Sequence, residues 1–434
     1  MPLGSYYRLQ PLKALLVAMY FPPAGGGGVQ RSLKFATHLP ALGVETHVLA
    51  PLDPKWIHRD EEAPLPSAAR VHRARYLGPQ ARRPAEELHG TRGVERLARQ
   101  ASLAGRRMLL PDASVSWNLT SIPAAIRIVR REAIDVVLTT SPPSSVHFVG
   151  AAVKRATGVP WVADLRDSIV AHPHRRAERR SVRAKEQAEH AVARLVARSA
   201  DAIVTVSAAI ADEMRERSPR GLVVEIPNGS DFDDFDGLPY RRGERFRITH
   251  TGSFFGKRDP RPFLCALAGG DFADVTARFV GDFRAADREW ADRLGLGPRL
   301  DLVPYASRRR ALELQRDSEA LLLLIPDAGG RGRGVLSGKV FEYLAAERPI
   351  LAAVPPDGAA AELLRDTGAG AVVAPDDVEG MVRELTSLRD RWRAGPLVGP
   401  ALAPAWRQRV SRQARVQELA DLFEVLETAG TRRT

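Results

Sequence analysis

A single cysteine, Cys265, stands in 434 residues, which excludes an intrachain disulfide framework. Nothing in the chain calls for an oxidising compartment. No apolar run approaches the roughly 20 residues that cross a bilayer. The opening MPLGSYYRLQPLK lacks a secretory apolar stretch. These absences suggest a cytoplasmic protein, with contact at a membrane surface left open. Aromatic residues make up only 6% and match no nucleic-acid-binding motif, which argues against nucleic acid as a partner. Lysine is also scarce: there are seven (13, 34, 55, 154, 185, 257 and 339) against 57 arginines. The formal charge is nevertheless +12. That surplus has two readings, a genome rich in arginine and alanine codons or an anionic partner such as phosphate or acidic lipid.

What is present is ordinary for a globular protein, with 44% hydrophobic and 27% charged residues. The length suggests two domains. Short apolar runs at 14–19, 46–50, 135–140, 161–165, 202–206 and 223–227 lack strict polar alternation. They read as strands buried on both faces of a parallel sheet. Amphipathic stretches at 30–42, 120–132, 144–157, 178–199 and 207–217 separate them. After the turn-rich stretch 228–244 the pattern restarts, with strands expected at 246–252, 277–281, 300–305, 320–326, 349–354 and 369–373. The fold class is α/β, with two Rossmann-like domains. The expected boundaries are 1–235, 236–403 and a C-terminal helix in 404–434 packing back on the first domain. Residues 81–110 read as a basic, weakly amphipathic insertion, solvated or lying on a membrane surface.

Two glycine-rich loops carry the chemistry. YFPPAGGGGVQR (20–31) joins the first strand to a helix, so unshielded backbone N–H groups meet an N-terminal dipole that favours a diphosphate. It fits neither the P-loop nor G-x-G-x-x-G spacing. DAGGRGRGVLSGKVFEYLAAERPILA (327–352) leads into a helix near Ser337. Gly338 and Lys339 put donors and a cation at that start, and Glu342 follows one turn later. Diphosphate at the helix start and a ribose hydroxyl on the carboxylate would account for these residue types, as would a plain surface ion pair between Lys339 and Glu342. One such loop in each domain places a ligand between them.

YFPPAGGGGVQR, PNGSDFDDF, HTGSFFGKRDPRPF, FVGDF and LSGKVFEYLAAERPIL, in this order, resemble the GT-B glycosyltransferases of family 4 over roughly residues 13–380. The resemblance implies a GT-B architecture and a nucleoside-diphosphate sugar bound mainly by the second domain. It implies transfer to an acceptor hydroxyl with retention of configuration, using no metal and no cofactor beyond the donor substrate. Carried over by position, Gly27 and Gly28 approach the sugar phosphates. Lys257 and Arg258 meet the diphosphate, with Ser253 where an arginine is common. Pro304 and Tyr305 fall at the nucleobase, and Ser337, Gly338, Lys339 and Glu342 complete the donor site. The expected catalytic residues are Asp167, Lys257 and Glu342, with Asp167 as an acceptor-side base or polar contact, or else a helix cap paired with Arg166 or Arg175. The acceptor could be a small molecule, a saccharide or a lipid-linked glycan.

The pattern departs from the family at two places. Gly334 replaces the first of two glutamates eight positions apart, which leaves the sugar open. Thr140, Ser141 and Pro142 stand where a histidine is common, with His147 further along and His172 and His174 in the next loop. Asp231-Phe232-Asp233-Asp234 mimics a metal motif but reads as the acidic start of a short helix. The arginines at 175–183 and 308–310 read as solvated helix faces. Two rivals to a transferase remain, a nucleotide-sugar epimerase and a non-catalytic nucleotide-binding protein on the same scaffold.

Overall fold

The computed structural model describes residues 11–54, 58–79, 93–94, 105, 108–170, 180–254, 257–397 and 399–431. The arginine-rich insertion lies almost entirely outside them, as do His172, His174 and Arg175. Strand β1 (Leu12–Ala18) leads into helix α1 (Gly27–His38), followed by β2 (Val44–Leu52) and β3 (Arg70–Arg75). Then come α2 (Asn118–Glu132), β4 (Val136–Ser141), α3 (His147–Thr157), β5 (Trp161–Leu165), α4 (Arg180–Ser199), β6 (Ala202–Thr205), α5 (Ala208–Arg215) and β7 (Leu222–Glu225). These strands form one parallel sheet in the order β3-β2-β1-β4-β5-β6-β7.

The second sheet is also parallel, in the order β10-β9-β8-β11-β12-β13. Its strands are β8 (Phe246–Thr251), β9 (Val275–Val280), β10 (Leu300–Val303), β11 (Ala320–Leu324), β12 (Ile350–Ala353) and β13 (Gly370–Val373). Helices α6 (Arg261–Gly269), α7 (Ala285–Arg293), α8 (Arg308–Arg316), α9 (Gly338–Ala345), α10 (Ala359–Thr367) and α11 (Val378–Ala394) connect or follow them. Apart from Lys13 in β1, strands β1, β4, β5 and β11 are buried along their length, which is why they carry no polar alternation. Strand β3 was not expected. Its sequence RVHRAR is polar because it is an edge strand, mostly half-buried or exposed.

The C-terminal helix is two helices, α12 (Pro404–Arg409) and α13 (Arg412–Thr431). They part where the chain crosses between the sheets. Ser411 bridges to Ser230 there, and the Arg412 N–H donates to the Ser230 carbonyl at 3.0 Å. A Cβ on Gly229 would lie 2.9 Å from the Arg412 nitrogen, so only glycine lets the two segments approach this closely. Beyond the crossing, Val416, Leu419 and Phe423 are buried in one cluster with Leu16, Leu33, Val48 and Ile226 of the first domain.

One buried ion pair fastens α1 to the first sheet. The Arg31 guanidinium grips Asp164 of β5, with Nη2 and Nε at 2.8 and 3.0 Å, and also donates to the Ile226 and Pro227 carbonyls. Thr140 donates to the same carboxylate at 2.7 Å. Both charged side chains are almost inaccessible to solvent. Replacing one partner would strand the other charge in a dry interior. Arg31→Met should therefore cost about 3–5 kcal/mol in urea denaturation of the first domain; a cost under about 1 kcal/mol would show that this pair does not anchor α1.

Candidate active site

The glycine loop after β1 packs directly against the second domain. A Cβ on Gly25 would lie 1.8 Å from the Tyr305 hydroxyl, and Gly26 has φ +89°, so these two positions require glycine. Gly27 and Gly28 open α1 on the exposed side, with nothing within 4 Å of a Cβ on Gly27. The helix start has no side-chain cap, so its first N–H groups and dipole are open to an anion. Arg166 holds this loop in place from below. Its guanidinium donates to the Gly28 carbonyl and to those of Ser141, at 2.7 Å, and Pro142.

A strap from the first domain runs beside the loop. The Gly25 N–H donates to the His58 carbonyl at 3.0 Å, and the Asp60 N–H to the Pro23 carbonyl at 3.0 Å. The His58 ring stacks on Tyr305 with centroids 4.3 Å apart, and its Nε2 meets Asp282 at 2.8 Å. Asp60 accepts from the Arg308 backbone N–H at 2.9 Å, at the start of α8. Burial beside Asp60 pushes the Tyr305 hydroxyl up to about 12.

The opposite wall is cationic. Strand β8 is followed by Gly252, whose φ of +119° and lack of a side chain let the Lys339 ammonium pack onto its backbone. A Cβ there would sit 2.4 Å from Lys339 Nζ. That Nζ is buried and has no hydrogen-bond partner among the described residues. Burial, together with nearby Arg258, holds Lys339 well below its ordinary value of 10.5, against a weaker pull from Glu342. Arg258 donates to the Ser253 carbonyl at 3.2 Å. Ser253 in turn is locked to Asp282, donating to its carboxylate at 3.1 Å and accepting from its N–H at 3.0 Å. Lys257 is half-buried beside Arg258. Beneath them, His250 donates from Nδ1 to the Leu322 carbonyl at 2.9 Å. Burial first, then Lys339, keeps this imidazole neutral.

Helix α9 supplies the rest. Ser337 caps it, accepting from the Lys339 N–H at 3.4 Å, and Gly338 opens it with no neighbour near a Cβ. Lys339 and Glu342 do not pair with each other. The Glu342 carboxylate takes Arg308 at 2.7 Å on one oxygen and Gln315 at 3.3 Å on the other. Although burial opposes it, Arg308 brings the Glu342 pKa below its ordinary value, so the group stays an acceptor. Arg308 was expected on a solvated face. It is instead mostly buried between Glu342 and Asp234, while Arg309 and Arg310 are the exposed ones.

Asp167 follows β5 on the first-domain side of the cleft. Its side chain is still exposed to solvent, and desolvation by the surrounding protein raises its pKa, against the pull of Arg166 and of Arg258 from the other domain. Because Arg166 is committed to backbone carbonyls, no ion pair joins it to Asp167 among the described residues. Gly334 lies with its absent Cβ 2.8 Å from the Ala209 Cβ, so the first domain occupies the space that a glutamate at this position would need. Asp231 and Asp234 are engaged by Lys34, and no metal-spaced cluster of three His, Cys, Asp or Glu occurs among the described residues.

The whole fold is similar to that of several solved glycosyltransferase structures. Sucrose-phosphate synthase from Thermosynechococcus elongatus superposes with a TM-score of 0.66 at 16% identity, covering 96% of this chain and 100% of that one. HepE from Anabaena, in complex with UDP-glucose, gives 0.60 at 15% identity over 96% and 100%. The lipopolysaccharide outer core galactosyltransferase WaaB, in its apo form, gives 0.54 at 11% over 95% and 100%. These likenesses establish the GT-B fold. In sequence, residues 26–229 match the family model of the glycosyl transferase 4-like domain. That match spans just under half of the chain and most of the first domain. No curated protein matches the chain. The matched span opens in the glycine loop and closes at Gly229, where the chain crosses to α13.

The first domain thus brings Gly27, Gly28 and Asp167 towards the face of the second domain that carries Ser253, Lys257, Arg258, Tyr305, Ser337, Gly338, Lys339 and Glu342. Sequence reasoning missed His58, Asp60, Arg308 and Gln315. Only Arg308 carried a signal, as one of three successive arginines at a helix start.

The buried ammonium has a measurable cost. Unfolded chain keeps the Lys339 proton up to its ordinary value of 10.5, whereas the folded protein releases it earlier. Between those values the unfolded state binds more protons, so this group makes stability rise with pH. Lys339→Met should therefore be more stable than wild type at pH 7, with the difference shrinking towards pH 10. Urea denaturation at both values checks this, and a destabilised variant at pH 7 would contradict it.

Proposed function

We propose that this protein is a glycosyltransferase that takes its sugar from a nucleoside-diphosphate donor. The observation that carries this reading is the Lys339 ammonium, buried without a hydrogen-bond partner beside Arg258 and at the start of α9. Two cations and a helix N-terminus withdrawn from water together suit a diphosphate, whose negative charge grows as the glycosidic bond to the donor phosphate breaks. Lys257 adds charge at the rim. Glu342, held ionised, accepts from ribose hydroxyls, and Tyr305 meets the base. The solved structure of HepE with UDP-glucose makes UDP the first nucleotide to try.

The acceptor enters from the first domain, where Gly27 and Gly28 at the start of α1 face the transferred group. Asp167 orients the acceptor hydroxyl by accepting a hydrogen bond from it. Retention follows if the hydroxyl attacks on the face from which the diphosphate leaves, with a diphosphate oxygen taking the proton. No metal is required, because Lys339, Arg258, Lys257 and two helix starts supply the positive charge. Which sugar is used depends on a pocket where Ala209 replaces a carboxylate side chain at position 334.

Raised melting temperature with a nucleoside diphosphate identifies the nucleotide, since a ligand of the native state stabilises it. Nucleotide sugars are then tried with saccharide, lipid-linked and small-molecule acceptors, following release of nucleoside diphosphate. Sugar altered without acceptor would instead indicate an epimerase. With the donor in hand, Lys257→Ala and Glu342→Ala should each remove most of the activity, about a hundredfold in kcat/KM, while melting cooperatively. Asp167→Asn should lower kcat and leave the KM for donor nearly unchanged. Wild-type rates in the Lys257 and Glu342 variants would overturn their roles.

A further inference from the structure

Glu342 is the end of a chain of charges that runs out of the donor site. Arg308 bridges Glu342 at 2.7 Å and Asp234 at 2.9 Å. Asp234 pairs with Lys34 at 2.9 Å, and Lys34 with Asp231 at 2.5 Å. Asp231 then faces Arg412 at 3.8 Å and His38 at 3.3 Å. Five parts of the molecule are joined in this way. Glu342 lies on α9 and Arg308 on α8 of the second domain, and Asp231 and Asp234 lie in the segment between the sheets. Lys34 lies on α1, the helix whose first residues are Gly27 and Gly28, and Arg412 opens the returning helix α13.

Arg308 is the junction. Its backbone N–H is fixed by Asp60 of the first-domain strap, while its guanidinium spans two carboxylates. A planar guanidinium presents donors in fixed directions, so satisfying Asp234 and Glu342 together fixes where the Glu342 carboxylate points. Each oxygen of Glu342 keeps a lone pair for a ligand after Arg308 and Gln315 are satisfied. The side chains are mostly buried, so these charges are less screened than a surface pair.

We infer that Arg308 is a positioning residue that aims Glu342 at the nucleotide and, through Asp234 and Lys34, couples nucleotide binding to the placement of α1. The inference rests on the donor reading above. It predicts an effect at a distance, because Lys34 touches neither Glu342 nor any residue of the donor wall, and yet its replacement should weaken nucleotide binding.

The experiment is a double-mutant cycle on the full chain, with UDP, GDP and ADP as probes in titration calorimetry and thermal denaturation run in parallel. With the nucleotide that wild type binds best, Arg308→Gln should weaken binding about tenfold, Lys34→Met should weaken it severalfold, and the double variant should be no worse than Arg308→Gln alone. Arg308→Lys, which keeps the charge but loses the fork, should fall between wild type and Arg308→Gln. If wild type binds and both single variants bind equally well, or if their effects simply add, the coupling is refuted and the donor reading stands. If wild type binds none of the three, both fall together. Should Arg308→Gln fail to fold, Lys34→Met alone decides: unchanged affinity overturns the inference, and weakened affinity with an unchanged melting point supports it.

Discussion

Two cationic side chains drawn out of water next to each other set the terms for this cleft. Burial first and then Arg258 lower the Lys339 pKa, while Arg258 is itself desolvated and is drawn on by Tyr343 and Asp167, so an anion placed here would favour the charged ammonium. The surrounding architecture makes that placement geometrically available. Gly252 and Gly338 leave no side chains over the ammonium, Ser337 fixes the start of α9, and the start of α1 faces the same cleft.

Several of the contacts that hold the two domains in register converge on the loop after β10 and the start of α8. Tyr305 lies against Gly25 and under His58, and Arg308 is capped by Asp60. The glycine run therefore does more than open a helix start, since Gly25 admits the other domain. The same arrangement explains part of the basic surplus. Arg31, Arg166, Arg308 and Arg412 tie segments together across the fold, whereas the cations aimed into the cleft are few. Arginine suits the first role because one fork reaches several carbonyls or carboxylates at once.

Much of this was legible in the sequence. Doubly buried parallel strands announce themselves as unbroken apolar runs, and β1 and β11 were read that way. Glycine-rich loops before helices pointed to both walls of the cleft, and Lys339 stood out in a chain with few lysines. The edge strand β3 escaped because an edge in contact with water needs no apolar signature. Arg308 escaped for a different reason. Whether an arginine lies on a solvated face or between two carboxylates depends on residues 34 positions away and in the other direction along the chain. The break at Ser411 is likewise set by a partner at Ser230, which no local pattern in 404–431 reveals.

If a diphosphate completes the Lys339 site, its arrival recharges the ammonium, and proton uptake on binding reports this. Calorimetric titration with the preferred nucleoside diphosphate at about pH 9, in buffers of different ionisation enthalpy, counts the protons taken up. An ordinary lysine is almost fully charged there already and would contribute almost none. Wild type should show clear net uptake, and Lys339→Met should lose it. Tight binding with no proton uptake by wild type would contradict a diphosphate at Lys339.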